Sequence, residues 1–455
     1  MSGNSQNTPA GHSPAGGAST ILLGLAGGLI LGLIANLAKS RLGADSPLIA
    51  GAVWIAEVVG QLFLRLMFVV VLPLVVSALA LAVVEMGDLS KLGRVGLRTL
   101  LYSAVLSGSA VLLGLLLVNT IRPGHAISTE SREDLLKSYS KDTANSLAKA
   151  SQAKSLKEVL IDMVPQNPLQ EMVGAIDGSS KGNGMLSVMI FSLLLGGAIA
   201  VNPEKCAPLI AWLEGWNTVA MTVIGWALRL APVGAGCLVF GVVSRLGFDV
   251  VRTLFWFALT VLLGLGLQLV VVYPLVLRVL GGWSPLAFFR GVRPAMEVAF
   301  GTSSSNATLP TALRVAEDDL RLPRDTARFV LTVGATANQN GTALYEGVVV
   351  LFLAQVFGME LSLPQQVQVV LMSILAGIGT AGVPGGSLPL IAVLLQSVGV
   401  PGEGIGLIFG VDRLLDMCRT VLNVTGDLVV ATCVSGPPGS AQMGGTPGVG
   451  PGAAS

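Results

Sequence analysis

Long apolar runs alternate with short polar joints along this chain, and the runs have the length of membrane spans. Ser19–Ala38, Leu66–Val84, Leu97–Val118, Met185–Val201 and Leu254–Leu277 are almost wholly apolar; Ala207–Val243 is longer and interrupted by Glu214, Arg229 and Pro232. At about 1.5 Å of rise per residue, roughly 20 apolar residues cross the hydrocarbon core of a bilayer. After Gly281 the texture changes to short hydrophobic segments broken at Gly301–Pro310, Gly334–Thr342 and Ala376–Ser387. Non-helical backbone at membrane depth is tolerated only where protein buries it or a watery cavity touches it. Half-length segments turning at Ser303–Asn306 and Val383–Gly386 therefore read as re-entrant hairpins, whose tips offer helix N-termini to anions and carbonyls to cations. Close helix packing by Gly and Ser accounts for any single break. The breaks together, beside a charged stripe, favour a binding site.

That stripe lies in the last run. Asp412, Asp416, Arg419, Asn423 and Asp427 follow at spacings of four, three, four and four, flanked by the apolar Ile405–Val411 and Leu428–Val434. At roughly 100° per residue they share one narrow arc of a helix. Each charge costs on the order of 2.5–3.5 kcal/mol at the bilayer centre on insertion scales, so it must face partners, water or a ligand. An internal Asp–Arg network satisfies part of this need. Three carboxylates against one guanidinium leave surplus negative charge, and that surplus asks for a cation.

Composition places the 455 residues in the membrane class: 52% are hydrophobic, only 12% charged, and the mean hydropathy is +0.76. A soluble chain carries about a quarter charged residues. The net charge of +1 excludes a nucleic-acid partner, which calls for a basic stripe. Cys206, Cys237, Cys418 and Cys433 are scattered without a CxxC or Cys/His cluster and read as small buried hydrophobes. No cofactor is expected, and no metal beyond an alkali cation. His12 and His125 sit in polar segments, so the serines at 303–305 lack the base that an intramembrane hydrolase needs. The chain is not expected to be an enzyme. A passive channel fits the interrupted helices, but a buried Arg/Asp pair suits binding better than rapid conduction. Residues 1–18 lack the basic region of a signal peptide and read as a disordered tail before a retained first span. Residues 436–455, rich in Gly, Pro and Ser, read as a second disordered tail.

These motifs resemble the dicarboxylate/amino acid:cation symporters, the family of archaeal aspartate and mammalian glutamate transporters. The likeness runs from about Ser19 to Val434 and is most specific at Ser303–Pro310, Asn338–Thr342, Val383–Gly386 and Asp416–Asp427. It implies an all-α polytopic membrane protein with eight transmembrane helices plus two re-entrant helical hairpins, and an elevator-type transporter fold assembled as a homotrimer in the plasma (inner) membrane. Residues 19–435 would form the transporter, with spans one, two, four and five as scaffold. Spans three and six would move together with hairpin 1 (about 284–321), span seven (about 324–357), hairpin 2 (about 363–400) and span eight (about 403–434). The implied function is symport of aspartate or glutamate. The alternatives are a proton-coupled or cation-independent acidic amino acid carrier and a C4-dicarboxylate transporter.

The resemblance also implies substrate contacts at Ser304, Ser305, Thr342, Val383, Gly386, Asp416, Arg419, Thr420 and Asn423. Arg419 would grip a side-chain carboxylate, for which a guanidinium fork is suited, and Asp416 would accept the ammonium. A diacid without an amine would leave Asp416 unpaired, which favours aspartate or glutamate. One cation site would join Asp427 to carbonyls of Gly334, Asn338 and Asn423. A second would use carbonyls of Thr336, Gly377, Ile378 and Thr380, with Gln339 where the family has methionine. At the third, Asn340 replaces an aspartate, and Ser103 and Leu106 stand where ligands are expected, with Ser107 remaining; this site reads as abandoned, and sodium coupling as reduced. Glu346, four residues after Thr342 on the same helical face, is a candidate proton carrier, a role that requires a carboxyl which burial can hold neutral. Na⁺, H⁺ or both are the coupling ions this implies.

Overall fold

The computed structural model describes residues 14–42, 47–87, 94–128, 156–162, 164–177, 185–380, 382 and 385–437, and among them every regular element is helical. The first half comprises α1 (Pro14–Leu42), α2 (Pro47–Phe68), α3 (Val71–Gly87), α4 (Arg94–Ile121), the short α5 (Leu156–Ile161) and α6 (Pro168–Asp177), α7 (Met185–Val201) and α8 (Ala207–Leu246). Then α9 (Phe248–Gly281) runs with π-helical turns at Gln268–Val272 and Leu277–Gly281. The second half holds α10 (Pro285–Thr302), α11 (Ser305–Arg314), α12 (Arg324–Ala337), α13 (Asn340–Val356), α14 (Leu363–Gly379), α15 (Leu388–Ser397) and α16 (Ile405–Ser435).

Among the described residues, four helices are long and apolar enough to cross a membrane, or five if the bent pair Ala207–Ala227 and Arg229–Arg245 forms one span. The 56° bend of that pair has a local cause. Pro232 lies within α8, and a proline ring clashes with the carbonyl four residues before it, here at Leu228.

The second span differs from the sequence expectation. It begins near Pro47 rather than Leu66, and Ile49–Val84 is one apolar stretch of 36 residues. Glu57, Gln61 and Arg65 hid its first half; Glu57 is paired with Arg245 of α8, so the charge does not end the helix. At the N-terminus, α1 already begins at Pro14, ahead of Ser19, while residues 1–13 lie outside the described set, as do those after Pro437.

Two groups of helices pack together. In one, α1 and α2 lie along α8, and α3 lies against α7 and α8. Gly24 and Gly28 leave no room for a Cβ against Pro232 and Gly236, the close backbone approach typical of helix pairs in membranes. In the other group, α16 is the axis and touches α4, α9, α10, α12 and α13. Helix α13 is buried at every position except Gln355, which explains why its sequence has no polar face. The pair α10/α11 packs on this axis, and the pair α14/α15 packs on α13 beside it.

Candidate functional site

Each pair turns at a break that local chemistry dictates. Ser303 ends α10 in the left-handed region (φ 50°), and Ser304 caps α11 by accepting the Ala307 N–H at 3.2 Å. The same Ser304 hydroxyl donates to the Gly382 carbonyl at 2.6 Å, and the Asn306 N–H reaches that carbonyl at 3.2 Å. The two tips are thus tied to each other. Behind them lies a narrow polar cavity with room for about one water once its open mouth is left out. The tips line it with Ser303, Ser305, Thr380, Gly382, Gly386 and Ser387; Gln339, Thr342, Asp416, Thr420 and Asn423 complete the wall. Of the expected substrate residues, Ser305, Thr342, Gly386, Asp416, Thr420 and Asn423 face this space, whereas Ser304 is spent on the tip-to-tip bond. Val383 lies outside the described residues.

The stripe of α16 is buried at Asp412, Asp416, Arg419, Asn423 and Asp427. Arg419, 1% exposed, sits just behind the cavity wall. Its Nη2 donates to Asp416 Oδ1 at 2.8 Å and to Asp412 Oδ1 at 3.4 Å, and its Nη1 donates to Ser387 Oγ at 3.1 Å. The guanidinium carbon stands 3.9 Å above the centre of the Tyr345 ring. The Tyr345 hydroxyl donates to Asp412 at 2.8 Å. The fork is held in place, while its Nε is buried without an acceptor.

The expected charge balance needs correction. Arg413, one position outside the stripe, reaches Asp416 Oδ2 at 3.5 Å, so two guanidinium groups, not one, serve the aspartates. On a helix Arg413 and Asp416 are i,i+3 neighbours, and that spacing was the signal available in the sequence. Tyr345, Ser387 and Tyr273 are the other site residues that sequence reading did not single out as contacts. Their types are common in apolar helices, and only packing makes them neighbours of the stripe.

Asn423 organises the wall: its amide donates to Gln339 Oε1 at 2.5 Å and to Thr342 Oγ1 at 3.1 Å, and its Oδ1 accepts the Gly341 N–H at 2.7 Å. Deeper, Asp427 accepts from the Asn338 amide at 2.8 Å. Gly334 lies against the same carboxylate, where a Cβ would stand 2.6 Å from Oδ1, so glycine here permits the close approach. Gly334, Asn338 and Asp427 are therefore brought together at the α12–α13 break. Hard oxygen donors of this kind suit an alkali cation better than a soft metal. The carbonyl set of the second expected site spans the end of α12 and the end of α14. There Gly377 abuts the Gln339 carbonyl, Ile378 packs with Val333 and Ala337, and Thr380 lines the cavity. Of Thr336 only the backbone is described. Gln339 donates to the Ala335 carbonyl at 2.7 Å.

At the expected third site a chain of neutral hydrogen bonds crosses four helices. Ser107 donates to Asn340 Oδ1 at 2.6 Å, Asn340 Nδ2 donates to the Tyr273 oxygen at 3.1 Å, and the Tyr273 hydroxyl donates to the Leu422 carbonyl at 3.0 Å. Leu106 is buried with its carbonyl accepting Gln268 Nε2 at 3.2 Å, and Ser103 is half-buried. Glu346, 0% exposed, has neither carboxyl oxygen in a hydrogen bond of good geometry. Thr380 lies alongside, but its hydroxyl donates to the Ala376 carbonyl at 2.7 Å.

Among the cysteines, Cys433 is buried and Cys206, Cys237 and Cys418 are half-buried, all as free thiols. No cluster of metal-ligating side chains occurs among the described residues.

A membrane-depth helical bundle, with hairpin tips meeting over a polar cavity and buried carboxylates beside it, defines a membrane transport protein rather than an enzyme. The chain belongs to the sodium:dicarboxylate symporter family, which matches residues 18–436. It is 31% identical over 419 residues to the proton/sodium-glutamate symport protein of Bacillus subtilis (strain 168), covering 91% of this chain and 93% of the relative. It is also 31% identical over 377 residues to the proton/glutamate-aspartate symporter of Escherichia coli (strain K12), covering 83% and 84%. Excitatory amino acid transporter 3 of Oryctolagus cuniculus is 31% identical over 410 residues, covering 81% of this chain and 76% of that protein. The chain is an integral, multi-pass membrane protein.

Proposed function

We propose that the protein is a secondary active symporter of aspartate or glutamate in the plasma membrane. The observation that carries this reading is Asp416 in the cavity wall behind the hairpin tips, hydrogen-bonded to the buried Arg419. A diacid with an ammonium offers a carboxylate to Arg419 and a cation to Asp416, and it satisfies both where water is scarce. The relatives whose names specify glutamate or aspartate support the substrate class. Coupling is assigned to sodium at the Asp427 site and to protons through Glu346.

In this reading the chain crosses the membrane eight times and carries two re-entrant hairpins. The α16-centred group moves past the α8-centred group, and three copies assemble. The trimer follows from the family likeness; α8 offers an exposed apolar face at Leu209, Trp212, Trp216, Val219, Trp226, Leu230 and Val233, which lipid covers as readily as a second copy. In a membrane, association of such a face rests on shape and packing rather than on a hydrophobic drive.

The test is uptake of labelled aspartate into liposomes, with Na⁺ and pH gradients imposed independently. Accumulation under one or both is expected; no accumulation under any gradient rejects the reading.

The neutral chain through Ser107, Asn340 and Tyr273 supports loss of the third cation site, because the Asn340, Tyr273 and Leu422 oxygens each already have a donor. Asn340→Asp alone is therefore expected to leave the sodium dependence of uptake non-cooperative. A steep, cooperative sodium curve in that single variant would contradict this assignment.

A further inference from the structure

We infer that Arg413 is a positioning residue that sets specificity: by holding Asp416, it lowers the site's demand for a substrate ammonium and lets amine-free diacids compete. The inference rests on the acidic-substrate reading above and refines which diacids the same site takes.

Asp416 has three donors. Arg419 holds Oδ1 at 2.8 Å, while the Gly385 N–H of the second hairpin tip at 3.2 Å and Arg413 Nη1 at 3.5 Å share Oδ2. The Arg413 side chain is only 11% exposed, and among the described residues Asp416 is its only hydrogen-bond acceptor. Its Nε is buried with no acceptor at all. Keeping a guanidinium so deep with its Nε idle is costly, and packing alone would be served better by an apolar side chain. Arg413 does not line the cavity; Asp416 does, so any effect on a ligand passes through Asp416.

The consequence follows from charge. Asp412 and Asp416 face Arg413 and Arg419, an even balance. When a ligand carboxylate draws the Arg419 fork toward the cavity, Asp416 loses its shortest charged bond. With Arg419 as sole partner, that loss would leave a buried carboxylate unpaired unless the ligand brought an ammonium. Arg413 and the Gly385 amide remain, so the ammonium becomes useful rather than obligatory. A site whose buried polar group is left unpaired rejects the ligand lacking the matching group by about 10⁴-fold or more. This site should discriminate far less.

Competition against labelled aspartate, with unlabelled aspartate and succinate as competitors, tests this in the full-length protein, its Arg413→Gln variant and its Arg413→Lys variant. In the unaltered protein, the ratio of succinate to aspartate inhibition constants is expected to fall well below about 10⁴. In R413Q the ratio is expected to rise roughly tenfold or more, because Asp416 then relies on the ligand's ammonium. In R413K it is expected to return toward the original value. A purely structural role would weaken both competitors equally; an unchanged ratio in R413Q overturns the inference and leaves the acidic amino acid reading standing. A ratio of about 10⁴ or more in the unaltered protein overturns it without recourse to any variant. Absence of aspartate binding to the unaltered protein overturns the underlying reading and the inference with it.

Discussion

Arg419→Ala is expected to abolish saturable uptake of aspartate and glutamate. Arg419 is the deepest cation of the site, stacked on Tyr345 and hydrogen-bonded to Asp412, Asp416 and Ser387. Alanine removes the fork that a substrate carboxylate would engage. Losing a buried charge-assisted bond of this kind costs about 1.5–3 kcal/mol, or some ten- to a hundredfold in affinity, before the loss of the second prong is counted. The variant also strips both aspartates of their main partner, and breaking a buried pair typically costs about 3–5 kcal/mol of stability. Binding and folding must therefore be measured together, by titration of labelled aspartate and by thermal unfolding in detergent. A folded variant that binds aspartate with its original affinity contradicts the role assigned to Arg419. A folded variant that gains affinity for neutral amino acids supports it, since the cavity would keep Asp416 but lose its preference for a second carboxylate.

Glu346→Gln is the second large effect: uptake driven by a proton gradient should fall to the background of protein-free liposomes, while exchange of internal for external aspartate persists. Exchange needs only a cavity that opens to each face in turn. Net proton-driven accumulation also needs a group that takes up a proton on one face and gives it back on the other. Glu346 is fully buried in α13, beside Thr380 at the tip of the second hairpin. Neither oxygen has a well-formed hydrogen bond, so a carboxylate anion there would rely on the charge of the nearby Arg419 alone. Glutamine keeps the shape and removes the proton. If the variant still accumulates aspartate under a pH gradient as the original protein does, Glu346 is a structural residue and protons travel elsewhere.

Much of this was legible in one dimension. The arc of Asp412, Asp416, Arg419, Asn423 and Asp427 follows from helical spacing, and the burial of all five accords with the cost of charge in an apolar segment. The breaks at Ser303–Ser304 and Asn338–Gln339 were marked by small and polar residues, and they fall between α10 and α11 and between α12 and α13. Other features were hidden for physical reasons. The first half of the second span carries Glu57, whose partner Arg245 lies 188 residues away, so no local window can tell that the charge is satisfied. The Arg413–Asp416 pair, by contrast, was open to reading from its i,i+3 spacing, since the long arginine stem lets a residue one step off the arc reach that carboxylate. Tyr273, the far end of the neutral chain from Ser107, sits on a different helix from each of its partners.

What the sequence determined by itself is the class of the protein and the axis of its site. Hydrophobic length and the price of buried charge act residue by residue along a helix, so periodicity reports them. What only the tertiary structure decided is which groups of other helices meet that axis: that Arg419 is stacked on Tyr345, that Asp416 receives the Gly385 amide, and that Asn340 is already satisfied by Ser107 and Tyr273. Hydrogen bonds and ion pairs fall off within a few ångströms, and those distances between helices are set by packing, which spacing along the chain does not encode.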